Sequence, residues 1–262
     1  MNHPLVEATA CIEVEDAYVA FGPKQVLKGI TLRVARGETV AILGESGGGK
    51  TVLLKVMLGL LTPAPGRVRL LGVDIAGLSE YELGPIRARC SVVYQGGALF
   101  SGMNVGENIA LELKEVLKLP DAEIARRVRW SLDAVGLGDV NPELSPHELS
   151  GGMKKRLSVA RAIAPKPEVI FYDEPTSGLD PLNSARILGL IDELHKSLHV
   201  TSVVVTHDLR GACKISDRIV LLNAGEIAFD GPPSKFVTSD DPVVVAFRSS
   251  APGFEAPAAV IR

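Results

Sequence analysis

The sequence predicts an α/β protein: a core in which strands alternate with helices, split around a lobe that is all helix. Three observations predict it. In "TVAILGESGGGKTVLLKVMLGLL" a short apolar run passes into a glycine-rich turn and then into an apolar helix. Two later runs, Val169 to Tyr172 and Ser202 to Thr206, are apolar almost throughout, as parallel strands covered on both faces must be. Between them and the first run, Asn104 to Ala164 has a nearly continuous helical pattern. Strand–helix alternation resumes from Glu168 to Asp230, so the lobe is an insertion into one core.

From the amino terminus, Ile12 to about Val93 reads as short strands followed by the helix of the glycine-rich turn. "CIEVEDAYVAF" alternates Ile12 and Val14 against Glu13 and Glu15, a half-exposed strand. "TPAPG", Thr62 to Gly66, stops the helix after the turn. Ser91 to Tyr94 is a further apolar strand that runs into Gln95. In the lobe, "PDAEIARRVRWSLDAVGL" places Ile124, Val128, Leu132 and Val135 on one face, with Pro120 or Asp121 as its start. Lys154, Lys155, Arg156 and Arg161 form a basic cluster that reads as a solvated face. After Thr238 the chain is rich in Pro and Ala and lacks helical period. There Val243 to Phe247 read as packing on a partner, the sister subunit being one candidate, and the last residues as disordered. The expected divisions are 1–11 as an extension, 12–95 and 166–237 as the core, 96–165 as the helical lobe and 238–262 as a tail.

Bulk properties narrow the class. The chain has 262 residues, 46% hydrophobic and 23% charged, with net charge −3. That balance suits an ordinary globular domain and supplies no basic field for nucleic acid. Cys11, Cys90 and Cys213 are far apart without metal-ligand spacing, and read as buried thiols in a reducing compartment. "MNHPLVEATA" lacks the basic and apolar regions of a secretory signal. The most hydrophobic window, "TVLLKVMLGLL", is short and carries Lys55, against the ~20 apolar residues a spanning helix needs. The expectation is a chain soluble by itself that would serve a membrane only as a bound subunit.

The chemistry is concentrated at strand ends. Gly44, Gly49, Lys50 and Thr51 fit G-x-x-x-x-G-K-[ST]. Gly47, Gly48 and Gly49 let the backbone curl so that its N–H groups face phosphates, and the following helix adds its positive end. Lys50 would sit between terminal phosphates and the Thr51 hydroxyl would ligate Mg²⁺. Asp173 and Glu174 close the strand from Val169. The first suits an Mg²⁺ site and the second can take a proton from an attacking water. His207 ends the Ser202–Thr206 strand. A lone histidine is more often a packing residue, but three strands able to lie side by side end in Lys50, Glu174 and His207, where α/β ligands bind. One stretch then stands out: Ser150-Gly151-Gly152, at the mouth of a helix within "PHELSGGMKKRLSVARAI". It looks like a second phosphate seat in a chain that already has one.

These pieces, in this order, resemble the ATP-binding subunit of ATP-binding-cassette (ABC) transporters. The matching motifs are "GESGGGKT", Gln95, "LSGGM", "VIFYDEP", "SGLD" and His207, over about Ile12 to Gly231. The resemblance implies a P-loop ABC-type nucleotide-binding domain with a RecA-like mixed core and an inserted α-helical subdomain. It implies ATP contact by Gly44 through Val52 (Glu45 and Ser46 included), by Gln95 and Asp173, and by an aromatic, Phe21 or failing that Tyr18, on adenine. Glu174 is then the catalytic carboxylate, His207 the switch histidine and Asp180 the D-loop acid, with Mg²⁺ held by Thr51, Gln95 and Asp173. The resemblance also accounts for the second seat: Ser150, Gly151, Gly152 and Met153 would serve the nucleotide of a sister subunit in a head-to-tail homodimer.

"LSGGM", with Met153 where most of the family has Gln, and "GGALFSGMNVGENIALEL" are similar to the ATPase subunits of Mce-type lipid transporters. That similarity implies phospholipid or other lipid transport, a polytopic permease reached through Gly97, Phe100 and Met103, and an Mce-domain substrate-binding protein. It implies a peripheral place on the cytoplasmic side of the inner membrane. A soluble assembly ATPase, such as one acting on an iron–sulfur scaffold, is the alternative. A simple kinase would leave "LSGGM" without a role.

Overall fold

The computed structural model describes residues 10–251 and 254. Two sheets and nine helices are formed by these residues. In chain order the elements are β1 (Ala10–Phe21), β2 (Lys24–Ala35), β3 (Thr39–Leu43), α1 (Lys50–Met57), β4 (Arg67–Leu70), β5 (Val73–Asp74), α2 (Glu80–Arg87) and β6 (Cys90–Val93). The lobe follows with α3 (Val105–Glu115), α4 (Asp121–Ala134) and α5 (Gly151–Ile163). Then come β7 (Val169–Asp173), α6 (Pro181–Leu198), β8 (Thr201–Val205), α7 (Leu209–Ile215), β9 (Arg218–Asn223), β10 (Glu226–Gly231), α8 (Pro233–Thr238) and α9 (Pro242–Ser250).

The larger sheet has the order β10-β9-β3-β8-β7-β6, parallel except for β10. β3 lies between β8 and β9, and every residue of β3 and β8 is buried. This explains their largely apolar sequence, since both faces of the sheet are covered, one of them by α1 and the smaller sheet. The smaller sheet, β2-β1-β4-β5, is antiparallel. Its first two strands are 12 residues each, not the short strands the sequence suggested. Register shifts around Asp16, whose φ is +47°, interrupt the alternation, and a bulge of that kind hides a long strand from a period-2 reading.

Three apolar clusters hold the layers together. One lies between the two sheets around α1, with Leu53, Val56 and Met57 facing Val40, Ile42 and Val205. A second joins the lobe to the other face of the large sheet through Ile109, Leu132, Leu157, Tyr172 and Ile191. A third, around Phe236 and Val244, packs α8 and α9 against β9. In the lobe Ile124, Val128, Leu132 and Val135 are all buried, the face their spacing predicted. α3 starts on a capping box in which Asn104 and Glu107 each accept from the other's backbone N–H.

The tail departs from its reading. α9 is a helix, Val244 is fully buried, and Phe247 meets Phe236 edge-on at 6.5 Å. Within the segment expected to pack on a partner, Val244 and Phe247 pack on their own chain, while Val245 is exposed. Asp241 caps the helix by accepting from the N–H groups of Val243 and Val244, and Pro242 occupies its first turn. The expected disorder of the last residues, and most of the N-terminal extension, lie outside the described residues. Among the described residues no helix is long and apolar enough to cross a membrane.

Candidate functional site

The loop from Gly44 to Gly49 joins the end of β3 to the start of α1. A side chain at Gly44 would place its Cβ 2.4 Å from the Leu222 carbonyl oxygen, so the strand can turn there only with glycine. Gly49, at φ +99°, begins α1 without a side-chain cap, leaving that end of the helix open to an anion. Lys50 is 7% exposed and donates to the carbonyl oxygens of Gly44 and Glu45, both at 2.9 Å. Burial pulls its pKa down, and the nearby Glu174 and Asp173 carboxylates oppose that shift. Its ammonium is therefore folded back into the loop, a charged donor held at the mouth of α1.

Asp173 ends β7 one strand beyond β8, the neighbour of β3. Thr51 donates to its Oδ1 at 3.3 Å. Burial raises the Asp173 pKa, partly opposed by the Thr51 hydroxyl and by Lys50. A hydroxyl and a carboxylate side by side form the oxygen-only donor set suited to a hard cation that completes its shell with phosphate and water. Glu174 adopts φ +48° and its N–H donates to the Val205 carbonyl of β8 at 2.9 Å. A glutamate in left-handed backbone is a strained arrangement typical of functional sites. His207 follows β8, and its Nδ1 lies 2.8 Å from Glu174 Oε2. The lysine, the carboxylates and the histidine thus meet at the carboxyl edge of β3, β7 and β8.

Gln95 lines the same cleft, although its side-chain amide donates to Ser177 Oγ at 3.0 Å rather than to Thr51 or Asp173. The cleft measures 730 Å³ and its walls include Gly44 to Gly47, Lys50, Thr51, Gln95, Glu174 and His207. Val52 is half-buried and packs into the core behind the loop. Phe21 is 53% exposed at the tip of the β1–β2 hairpin and is not one of the cleft walls. Tyr18 instead lies over Gly29 within the small sheet, where it acts as strand packing. Arg210 and, from the tail, Phe247, Ser250 and Phe254 also line the cleft. The sequence reading missed them, although Asp241-Pro242 was a legible helix start.

Ser150 to Met153 stand apart from that cleft. Ser150 caps α5, its Oγ accepting from the Met153 N–H at 3.3 Å, and Gly151 is exposed. Gly152 abuts Asn183, where a Cβ would come within 3.2 Å of Oδ1. Asp180 caps α6 by accepting from the Asn183 backbone and side-chain N–H groups. Those bonds, the backbone one first, lower its pKa. The two neighbouring helix starts, α5 and α6, therefore share one contact.

The basic cluster is not a solvated face. Lys155 is 8% exposed and donates to the Gln95 carbonyl oxygen. Arg156 reaches the Gly136 carbonyl, and Arg161 donates to Ala98 and Gly97 while its guanidinium lies 5.7 Å from the Phe100 ring centroid. These long stems reach backbone oxygens across the lobe, which a charge pattern alone cannot reveal. Phe100 is 48% exposed and, with Tyr94, Val116 and Arg161, lines a groove of 550 Å³. Gly97, at φ +75°, turns the loop, and Met103 is half-buried with its carbonyl held by the buried Asn108 amide.

A family model described as "ABC transporter" matches residues 27–177. The chain belongs to the ABC transporter family. It is an ABC-type P-loop ATPase, the ATP-binding subunit of a transporter. Its relatives include the chloroplastic protein trigalactosyldiacylglycerol 3 of Arabidopsis thaliana, 38% identical over 93% of this chain and 74% of the relative. The probable ribonucleotide transport ATP-binding protein mkl of Mycobacterium leprae is 39% identical over 90% of this chain and 68% of its own length. Among solved structures, a dimeric ATP-binding cassette in a post-hydrolysis state with ADP and Pi superposes with a TM-score of 0.76 and 29% identity, covering 85% of this chain and 98% of that one. ABC ATPases of this type typically dimerise and pair with membrane permeases.

Proposed function

We propose that this ABC ATPase works as a homodimer powering an Mce-type permease that moves phospholipids or other lipids. One observation carries the catalytic part of the reading: Lys50, Thr51, Asp173, Glu174 and His207 meet at one sheet edge, while the Ser150-Gly151-Gly152 helix start lies outside that cleft. A phosphate seat away from its own chain's nucleotide is useful to a second copy's nucleotide. Lys50 and the loop N–H groups hold the phosphates. Thr51 and Asp173 would hold Mg²⁺, and Gln95, whose amide is on Ser177, would be a third donor. The ion, when bound, neutralises charge on the terminal phosphates. Glu174 accepts the proton of the attacking water, and His207 fixes the direction of its carboxylate. Asp180 holds the start of α6 beside the signature. Phe21, exposed at the hairpin tip, supplies the surface for adenine.

The lipid reading is supported by "LSGGM", by the Gly97–Asn108 loop and by the resemblance to a relative named for a galactolipid. The groove beside Phe100 is the place for a permease helix, with Gly97 and Met103 setting the loop that forms it. An Mce-domain protein would complete the assembly on the far side of the inner membrane, this chain staying peripheral on the cytoplasmic side. Co-purification of a tagged copy from detergent-solubilised membranes tests the reading. A polytopic permease together with an Mce-domain protein is the expected outcome. Recovery with a soluble scaffold alone would overturn it and favour an assembly ATPase.

A further inference from the structure

A buried lysine needs a reason, because taking an ammonium out of water is costly unless its donors are used. Lys155 sits on α5, within two turns of the signature, yet its Nζ is directed away from solvent to the carbonyl oxygen of Gln95. Burial lowers its pKa, and the Glu174 carboxylate opposes that shift. Arg161, further along α5, takes the carbonyls of Gly97 and Ala98. Three carbonyls of the loop after β6 are thus held by cations of one helix. The loop's own backbone contributes a turn from the Gly97 N–H to the Tyr94 carbonyl at 2.8 Å. Where α5 goes, Gln95 must follow.

We infer that Lys155 is a positioning residue for ATP hydrolysis, anchoring the backbone of Gln95 to the signature helix so that the glutamine side chain can reach the Thr51–Asp173 pair. Lys155 holds the main chain of Gln95 while leaving its side-chain amide, now on Ser177, free to change partners. This rests on the reading of Gln95 as the residue that joins the Mg²⁺ site.

The test compares Lys155→Met, Lys154→Met and Gln95→Ala in the full-length protein as isolated from membranes. Lys154 is half-exposed on the same helix and controls for loss of charge alone. Lys155→Met is expected to lower kcat by about tenfold or more, as loss of a supporting residue around a metal site does. KM for ATP should stay within about twofold, because the phosphate loop is untouched. The Mg²⁺ concentration for half-maximal turnover should rise, and hydrogen exchange of residues 95–100 should quicken while residues 157–163 keep their protection. Wild-type kcat, or a loss no larger than that of Lys154→Met, overturns the inference even if the loop exchanges faster. If Gln95→Ala shifts the Mg²⁺ requirement and Lys155→Met does not, the lysine's role falls alone. If neither shifts it, the reading of Gln95 falls as well. Should Lys155→Met fail to fold, Lys155→Gln keeps a donor without the charge and is judged by the same readings.

Discussion

Two helices of this protein have glycine at their amino-terminal boundary, and the two boundaries are built differently. α1 starts at Gly49 in left-handed backbone with no side-chain cap, directly beneath a buried lysine and two carboxylates. α5 starts at Ser150 in extended backbone, capped by its own hydroxyl, beside an exposed Gly151. The first leaves its N–H groups uncapped and gathers Lys50, Asp173 and Glu174 around them, an arrangement suited to an anion. The second has donors but no catalytic group beside it. If both starts receive phosphate as proposed, it is the titratable residues around each that decide where chemistry is done.

The strongest way to break this comparison is to remove the chemistry from the first site alone. Glu174→Gln should lower ATP turnover by about 10²-fold or more, with ATP affinity by equilibrium binding unchanged; turnover near the wild-type rate would show that the catalytic group lies elsewhere. Next comes Gly44→Ala, which forces a Cβ against the Leu222 carbonyl in a backbone conformation alanine avoids. It should cost on the order of 2–3 kcal/mol, read as a lower midpoint in urea unfolding. Gly151→Ala, with nothing within 4 Å of its added Cβ, should leave folding intact. The same methyl would then reduce turnover only where two copies pair, so mixing it with an excess of Glu174→Gln separates the two seats. Ser150→Ala removes the cap of α5 and should destabilise by about 1 kcal/mol, measurable by thermal unfolding. The smallest effect sharpens the contrast between buried and working side chains. Burial pushes the Cys90 thiol up to about 12 and the Cys213 thiol up to about 11. At pH 8 both lie below their pKa and stay protonated, so a disulfide reagent should label them far more slowly in the native than in the urea-unfolded protein.

What could be read from the sequence divides along the same line. Strand ends were legible because β3, β7 and β8 are buried on both faces, so hydrophobicity alone marks where each one stops and its polar residue begins. The loop glycines were legible because their spacing is that of the P-loop pattern. Lys155 and Arg161 were not, since a charge pattern carries no record of which carbonyl a long side chain will reach. The tail was misread because α9 is short and its apolar residues run together as Val243-Val244-Val245 instead of recurring every three or four positions. Its capping residue was the better guide. Phe254, Phe247 and Arg210 entered the cleft wall through tertiary packing, for which no local pattern exists.

The position of β3 in the middle of the large sheet has a consequence for synthesis on the ribosome. β3 is complete by Leu43, but its sheet neighbours are β8, which begins at Thr201, and β9, which begins at Arg218. The strand that carries the phosphate loop therefore waits for most of the chain before it can hydrogen-bond on either side. At about 5–20 residues per second of translation, that interval is on the order of ten seconds or more. During it a largely apolar strand has both edges open, a condition that invites association with other nascent chains. The long β1–β2 hairpin, formed from neighbouring residues, is the part of the fold that can be in place first.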